Sequence, residues 1–130
     1  MQSETPKSPQ YDKSLLKVVG ENVFISAHAE IRRPHLVSIG NDAAIDSGFY
    51  LTTAMNTGDH IHIGPYVTII GGEEGSIVLG NFTNIAAKST IICVSDAYLG
   101  DGLITAPGIP KEMCDSLIIE PIVFKNFVNV

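Results

Sequence analysis

Near neutral pH, the side chains of this chain best suited to take a proton are its four histidines, His28, His35, His60 and His62. His60 and His62 are one residue apart, so on an extended strand both point outward while Ile61 and Ile63 point inward. A pair so placed can serve as general base toward a hydroxyl or an amine. It can equally supply two ligands of a metal site, or be two solvated surface residues. His35, beside Pro34, falls on an inward position and reads as structural, and His28 reads as exposed. Asp96 opens a long irregular segment, where it can orient a histidine or accept from a hydroxyl, or simply form a turn. The catalytic candidates are therefore His62, His60 and Asp96. The glycine-rich run Gly71-Gly72-Glu73-Glu74-Gly75 is not a phosphate loop. It lacks the Gly-Lys-Ser/Thr ending, and its two carboxylates repel phosphate.

The elements that must position these residues follow from an internal repeat. From Ile39, steps of six meet Ile45, Leu51, Thr57, Ile63 and Ile69, and a second run meets Leu79, Ile85 and Ile91; only Thr57 is not a branched aliphatic. Glycine follows the column residue at Gly40, Gly58, Gly64 and Gly80, and Ala43, Phe49, Met55, Ile61, Val67, Thr83 and Ser89 lie two residues before the next one. A six-residue unit is one short strand and a corner, and three units close a triangular coil. Stacked coils then line up the aliphatics into buried columns that no single unit can make. Asn41, Asp42, Asn56, Asp59, Asn81 and Asn84 suit the corners because they tolerate positive φ. A helix is disfavoured, since its apolar stripe needs a period of 3.6 and these segments are rich in Gly, Thr and β-branched residues. The fold expected is all-β, a left-handed parallel β-helix with parallel strands throughout and one long protruding loop.

The step breaks in three places. Two residues are added before Ile39, four at Gly71–Gly75, and residues 97–121, with Gly100, Gly102, Pro107, Gly108, Pro110 and Pro121, abandon it as a projecting loop. Strand character resumes at Ile122-Val123-Phe124. The domain plan is an N-terminal arm and cap over 1–20, with residues 1–14 solvated and 11–20 adding a short helix or strand, then the β-helix over 21–130 with its loop at 97–121.

Composition narrows the partners. Hydrophobic content of 45% with 17% charged residues is an ordinary globular balance, enough for one packed domain. A net charge of −6, with Arg32-Arg33 the one adjacent basic pair, argues against nucleic acid and anionic membranes. Residues 1–14 resemble no signal peptide or anchor, and no stretch approaches the ~18 apolar residues of a membrane span. A cytoplasmic protein is expected. Cys93 and Cys114 stand in no C-x-x-C context and read as unpaired thiols.

Three stretches carry a resemblance. They are Ile31-Arg32-Arg33-Pro34-His35-Leu36-Val37 with Ile39-Gly40-Asn41, Ile61-His62-Ile63-Gly64-Pro65-Tyr66-Val67 with Gly71-Gly72, and the loop from Ser95-Asp96 through Gly100-Asp101-Gly102-Leu103 to Pro110. Over roughly residues 25–130 the chain resembles the hexapeptide-repeat sugar O-/N-acetyltransferases of bacterial polysaccharide gene clusters. The resemblance implies a homotrimer, acetyl-CoA as co-substrate, no metal, and a saccharide or nucleotide-sugar acceptor meeting the CoA in clefts between prisms. Asn84, Lys88 and Tyr66 are then candidate substrate contacts, the first two facing outward and the tyrosine able to stack on a sugar ring. Family members continue for several coils past the point where this sequence stops, at Val130. It therefore resembles a C-terminally truncated member, for which weak acetyl-CoA binding is expected. A truncated, non-catalytic hexapeptide-repeat trimer is the alternative. A more distant one is a metal-dependent hydratase resembling gamma-class carbonic anhydrase, with His60 and His62 as two of three ligands.

Overall fold

The computed structural model describes residues 8–130. It is a parallel β-solenoid of about four turns, consistent with a left-handed β-helix. Three sheets form its walls. Val18–Val19, Val37–Ile39, Ala54–Thr57, Ser76–Leu79 and Ile122–Phe124 make the first, in that spatial order. Val23–Ile25, Ala43–Ile45, Ile61–Ile63 and Asn84–Ile85 make the second; Glu30–Ile31, Tyr50–Leu51, Thr68–Ile70 and Thr90–Ile92 make the third. Pairing within all three is parallel, in registers such as Ile25↔Ile45↔Ile63↔Ile85 and Ile31↔Leu51↔Ile69↔Ile91.

Those registers stack the aliphatics as the six-residue step expects. Ile39, Ile45, Leu51, Ile63, Ile69, Leu79, Ile85 and Ile91 are all buried, together with Phe49, Met55 and Ile77. Burial of this kind stabilises by about 1.5–3 kcal/mol per large aliphatic side chain. Thr57, the exception in the column, keeps its hydroxyl in use: Oγ1 accepts from Gly40 N at 3.2 Å and donates to Gly58 O at 3.1 Å.

One corner is built from repeated Gly-Asn/Asp-x triplets. Asn41 Oδ1 accepts from Glu21 N, Asp59 Oδ1 from Asn41 N, Asn81 Oδ1 from Asp59 N, and Asn126 Oδ1 from Asn81 N, each at 2.8 Å. Every rung therefore bonds to the coil before it, and the sequence separations of 20, 18, 22 and 45 measure the coils. The residue after each rung takes positive φ: Asn22, Asp42, His60, Phe82 and Phe127, between 57° and 63°. Glycine is required at position 40, just before the Asn41 rung, because a Cβ there would lie 2.4 Å from Gly58 O.

The coil lengths locate the insertions. The two extra residues of the first coil sit in the 3-10 turn Pro34–Leu36, ahead of Val37, which pairs with Met55; the slip thus falls earlier than the sequence places it. This turn leaves His35 exposed, so its inward assignment is wrong: an insertion resets the inward–outward phase. The four extra residues form a turn closed by Gly75 N to Gly71 O, with Thr52 Oγ1 accepting from Gly71 N at 3.0 Å and Gly72 N at 3.2 Å.

Three further expectations need correction. Strands are not parallel throughout, because Val94–Asp96 pairs antiparallel with Leu117–Ile119 at the base of the long loop. Asn56 and Asn84 lie in strands rather than corners. Residues 8–14 are not a free solvated arm: Ala27 N donates to Pro9 O, Tyr11 N to Ile25 O, and Gln10 bridges Ser26. Asp12 caps the 3-10 turn Lys13–Leu15, after which Leu16 is buried. Residues 1–7, the rest of that arm, lie outside the described residues.

Candidate functional site

A cleft of about 940 Å³ lies between two departures from the repeat, the Gly71–Gly75 turn and the loop 97–121. Its floor is apolar, with Ile70, Ile92, Val94, Leu117 and Ile119. Ile70 and Ile92 point away from the prism core, and Val94, Leu117 and Ile119 belong to the hairpin at the base of the loop. Polar groups come from the rim: Arg33, Glu73, Glu74, Asp96, Thr105 and Lys111.

Asp96 ends its strand half-buried in this cleft. Thr105 Oγ1 donates to Asp96 Oδ1 at 2.8 Å, and Thr105 N lies 3.3 Å from both carboxylate oxygens. The loop is organised by a second carboxylate that sequence reasoning missed. Asp115 is buried and accepts from Ser116 N and Leu99 N, both at 2.7 Å. The Ser116 amide first, then those of Leu99, Asp101 and Gly100, hold its pKa below the ordinary carboxylate value. Nothing in the loop's composition marks Asp115, since the acceptor role depends on a fold-back of 16 residues.

Arg33 Nη1 donates to Thr52 O, and Arg33 Nη2 lies 3.7 Å from Glu73 Oε1. Lys111 Nζ donates to Glu74 Oε1 at 3.0 Å, an ion pair that spans the cleft from loop to turn. Cys114 also lines the cleft, half-buried, and is unpaired; Cys93 is buried and unpaired, and burial raises its thiol pKa.

The other candidates lie elsewhere. His62 projects from the second sheet with Nδ1 2.8 Å from Asn84 Oδ1 and Nε2 3.0 Å from Asp46 Oδ2. Hydrogen bonds to Asn84 and then Asp46 raise its pKa above 6.5, against a smaller opposing effect of burial. Facing two acceptor oxygens, this ring is best satisfied as an imidazolium. His62 and Asn84 are thus brought together by the pairing of their strands. His60 is exposed, as expected, but stands on the corner rather than the strand, stacked on Phe82 at 4.8 Å and 3.9 Å from Asp42. Phe82 stacks in turn on Phe127 at 4.9 Å, a spacing set by the coil rise. Tyr66 and Lys88 share a second positive-φ corner; the Tyr66 ring lies over Gly48, where a Cβ would fall 2.4 Å from it. Asp96 therefore shares its cleft with none of the histidines. Among the described residues, no three His, Cys, Asp or Glu side chains converge as a metal set does. No helix of the described residues is long and apolar enough to cross a membrane.

Comparison with known proteins matches this architecture to one kind of enzyme. No family model matches the chain. In sequence it is 35% identical over 100 residues to the dTDP-4-amino-4,6-dideoxy-D-glucose acyltransferase of Escherichia coli, covering 74% of this chain and 50% of that protein. The chain spans about half the length of this curated relative. In structure it is similar to AntD, an N-acyltransferase from Bacillus cereus. A mutant of AntD in complex with dTDP-4-amino-4,6-dideoxyglucose and coenzyme A matches 95% of this chain and 67% of its own, at a TM-score of 0.83 and 28% identity. AntD in complex with dTDP and 3-hydroxybutyryl-CoA matches 94% and 66%, at 0.79 and 28%. The chain is thus a homologue of a sugar acyltransferase, and its β-solenoid fits the hexapeptide-repeat type.

Proposed function

We propose that this protein transfers an acyl group from acyl-CoA to the amine of a nucleotide-linked amino sugar. The observation that carries the reading is the similarity of 95% of the chain, at a TM-score of 0.83, to an N-acyltransferase holding such a sugar together with coenzyme A. Acetyl-CoA is the donor the sequence resemblance suggests, and 3-hydroxybutyryl-CoA the one bound by AntD. The setting we infer is cytoplasmic polysaccharide biosynthesis.

In this reaction the amine nitrogen forms a bond to the thioester carbonyl, the carbon–sulfur bond breaks, and the sulfur leaves with the proton the nitrogen gives up. A carboxylate placed to take that proton lowers the barrier. Asp96 is the residue we assign to it. Thr105 Oγ1 occupies its Oδ1, and the apolar floor suits the carbon face of a deoxysugar. His62 and His60 do not line this cleft, so in this reading they act across a subunit boundary, on the cleft of a neighbouring protomer. Asn84, Tyr66 and Lys88 contact the substrate from that same side.

A homotrimer supplies the boundary. Val78 and Val123 are exposed large apolar residues on the first wall, and Ile118 is one on the loop hairpin; such surface is covered by association. Light scattering is expected to return about three times the 13.9 kDa chain mass; a monomer would remove the part given to the histidines.

The test is thiol release on mixing the protein with dTDP-4-amino-4,6-dideoxyglucose and either acetyl-CoA or 3-hydroxybutyryl-CoA. Asp96→Asn is expected to lower kcat by roughly 10² or more with melting temperature unchanged. Absence of thiol release with both donors sinks the reading. An Asp96→Asn variant as active as its parent removes Asp96 from it.

A further inference from the structure

Two carboxylate–cation couples at the cleft are left unused by the catalytic reading. Glu73 and Glu74 stand on the Gly71–Gly75 turn; Arg33 and Lys111 face them. Both cations line the same cleft in a chain with only eight Lys and Arg. Neither is fully engaged. Arg33 Nη1 is anchored on Thr52 O, which fixes the guanidinium, while Nη2 is 3.7 Å from Glu73, beyond hydrogen-bond range. Lys111 commits one of its three donors, to Glu74. Glu73 is 83% exposed and the Lys111 side chain 84%, so these contacts are weak and separable.

We propose that Glu73 and Glu74 are a displaceable anionic latch, holding Arg33 and Lys111 ready for the phosphoryl groups of a nucleotide ligand. Entry of phosphate draws Lys111 and Arg33 from the carboxylates, and the exposed turn swings Glu73 and Glu74 outward into solvent. The latch also explains why carboxylates that repel phosphate sit beside a cleft of this size: with them in place the site is closed to anions, and the loop is tied to the turn. A phosphate outcompetes them because it offers a higher charge density and several acceptor oxygens to the same donors. The ligand identity rests on the acyl-transfer reading, in which a nucleotide diphosphate and coenzyme A both carry such groups.

Titration calorimetry with three probes, inorganic pyrophosphate, dTDP and coenzyme A, tests the latch in the full chain and two variants. Lys111→Met is expected to weaken the probe that uses the site by about tenfold. The double variant Glu73→Gln, Glu74→Gln is expected to tighten it, with a steeper salt dependence, because the two cations then meet the phosphate without a neutralising carboxylate. If the acids merely hold the loop in shape or do not compete with phosphate, the same double variant weakens binding or leaves it unchanged, and the proposal is overturned. Selective response of dTDP or of coenzyme A names the source of the phosphate. No binding of any probe to parent or double variant also overturns the latch; thiol release in that protein leaves acyl transfer standing. A working latch without thiol release under any acyl donor sinks acyl transfer and leaves the anion site.

Discussion

The prism and the loop solve the same problem, satisfying backbone polar groups, in opposite ways. In the prism each coil hands its N–H and C=O groups to the next, so local sequence repeats and a long-range ladder coincide. In the loop the amides of Leu99 and Ser116 converge on one side chain, Asp115, and the chain closes as an antiparallel hairpin. The contrast explains the distribution of chemistry. A repeated wall tolerates few exceptions, whereas a loop held by two carboxylates, a short hairpin and one exposed ion pair can vary its rim. The cleft and Asp96 lie at the junction of the two.

The sharpest break of this comparison is a charge in the column. Ile63 is wholly buried between Ile45 and Ile85, so Ile63→Asp leaves an unpaired carboxylate there and is expected to cost roughly 3–5 kcal/mol or more, unfolding the domain. Melting within a degree or two of the parent, followed by circular dichroism, would show that the column is misassigned.

Glycines divide the two regions next. Gly40→Ala pushes a methyl to within 2.4 Å of the Gly58 carbonyl oxygen, where the stacked coils cannot part, and is expected to cost roughly 1–3 kcal/mol. Gly100→Ala meets open space and bears only its left-handed φ of 82°, about 1 kcal/mol. Denaturant unfolding of both variants measures the gap; equal losses would mean that the loop is as constrained as the prism.

Asp115→Ala sharpens the loop side. It strips the Leu99 and Ser116 amides of their acceptor, locally about 1–3 kcal/mol, yet touches no prism contact. Faster proteolytic cleavage within residues 97–121, at an almost unchanged melting temperature, is the expected pattern. A large drop in melting temperature would join loop and prism into one cooperative unit.

The smallest effect concerns His62, whose ring ties three successive coils through Asp46 and Asn84. Its folded pKa is raised above 6.5, so its stabilisation is complete below about pH 6.5 and is lost as pH rises through the folded value. The side chain is 53% exposed, and the effect is correspondingly small. NMR titration of the His62 ring is expected to show the raised value, and Asn84→Ala to lower it; an ordinary pKa in the parent contradicts the double hydrogen bond.

Legibility in the sequence tracks regularity. The buried columns can be read because each aliphatic answers to neighbours one coil away at a constant step. The resumption at Ile122–Phe124 can be read for the same reason, and that strand does pair with Ser76–Leu79. His35 is misread because phase arithmetic fails across an insertion, and here the extra residues become a 3-10 turn. The position of His60 is half legible: six-residue spacing marks it as outward but not where strand yields to corner. In the candidate site, Asp96 stands out as the residue at which the repeat stops, whereas Asp115, Lys111 and Arg33 carry no periodic signal.

What the sequence by itself determined is the set of residues facing inward, and with it a solenoid. A fixed period, hydrophobic at one position and glycine at the next, admits few other ways of burying the aliphatics while satisfying the backbone. Tertiary structure decided which irregular pieces meet. Glu74 of the Gly71–Gly75 turn and Lys111 of the loop come together although 37 positions separate them along the chain, and Asp96 shares their cleft rather than that of a histidine. No local pattern encodes such meetings, because they depend on how far the loop folds back over a wall whose position is itself set by every coil beneath it.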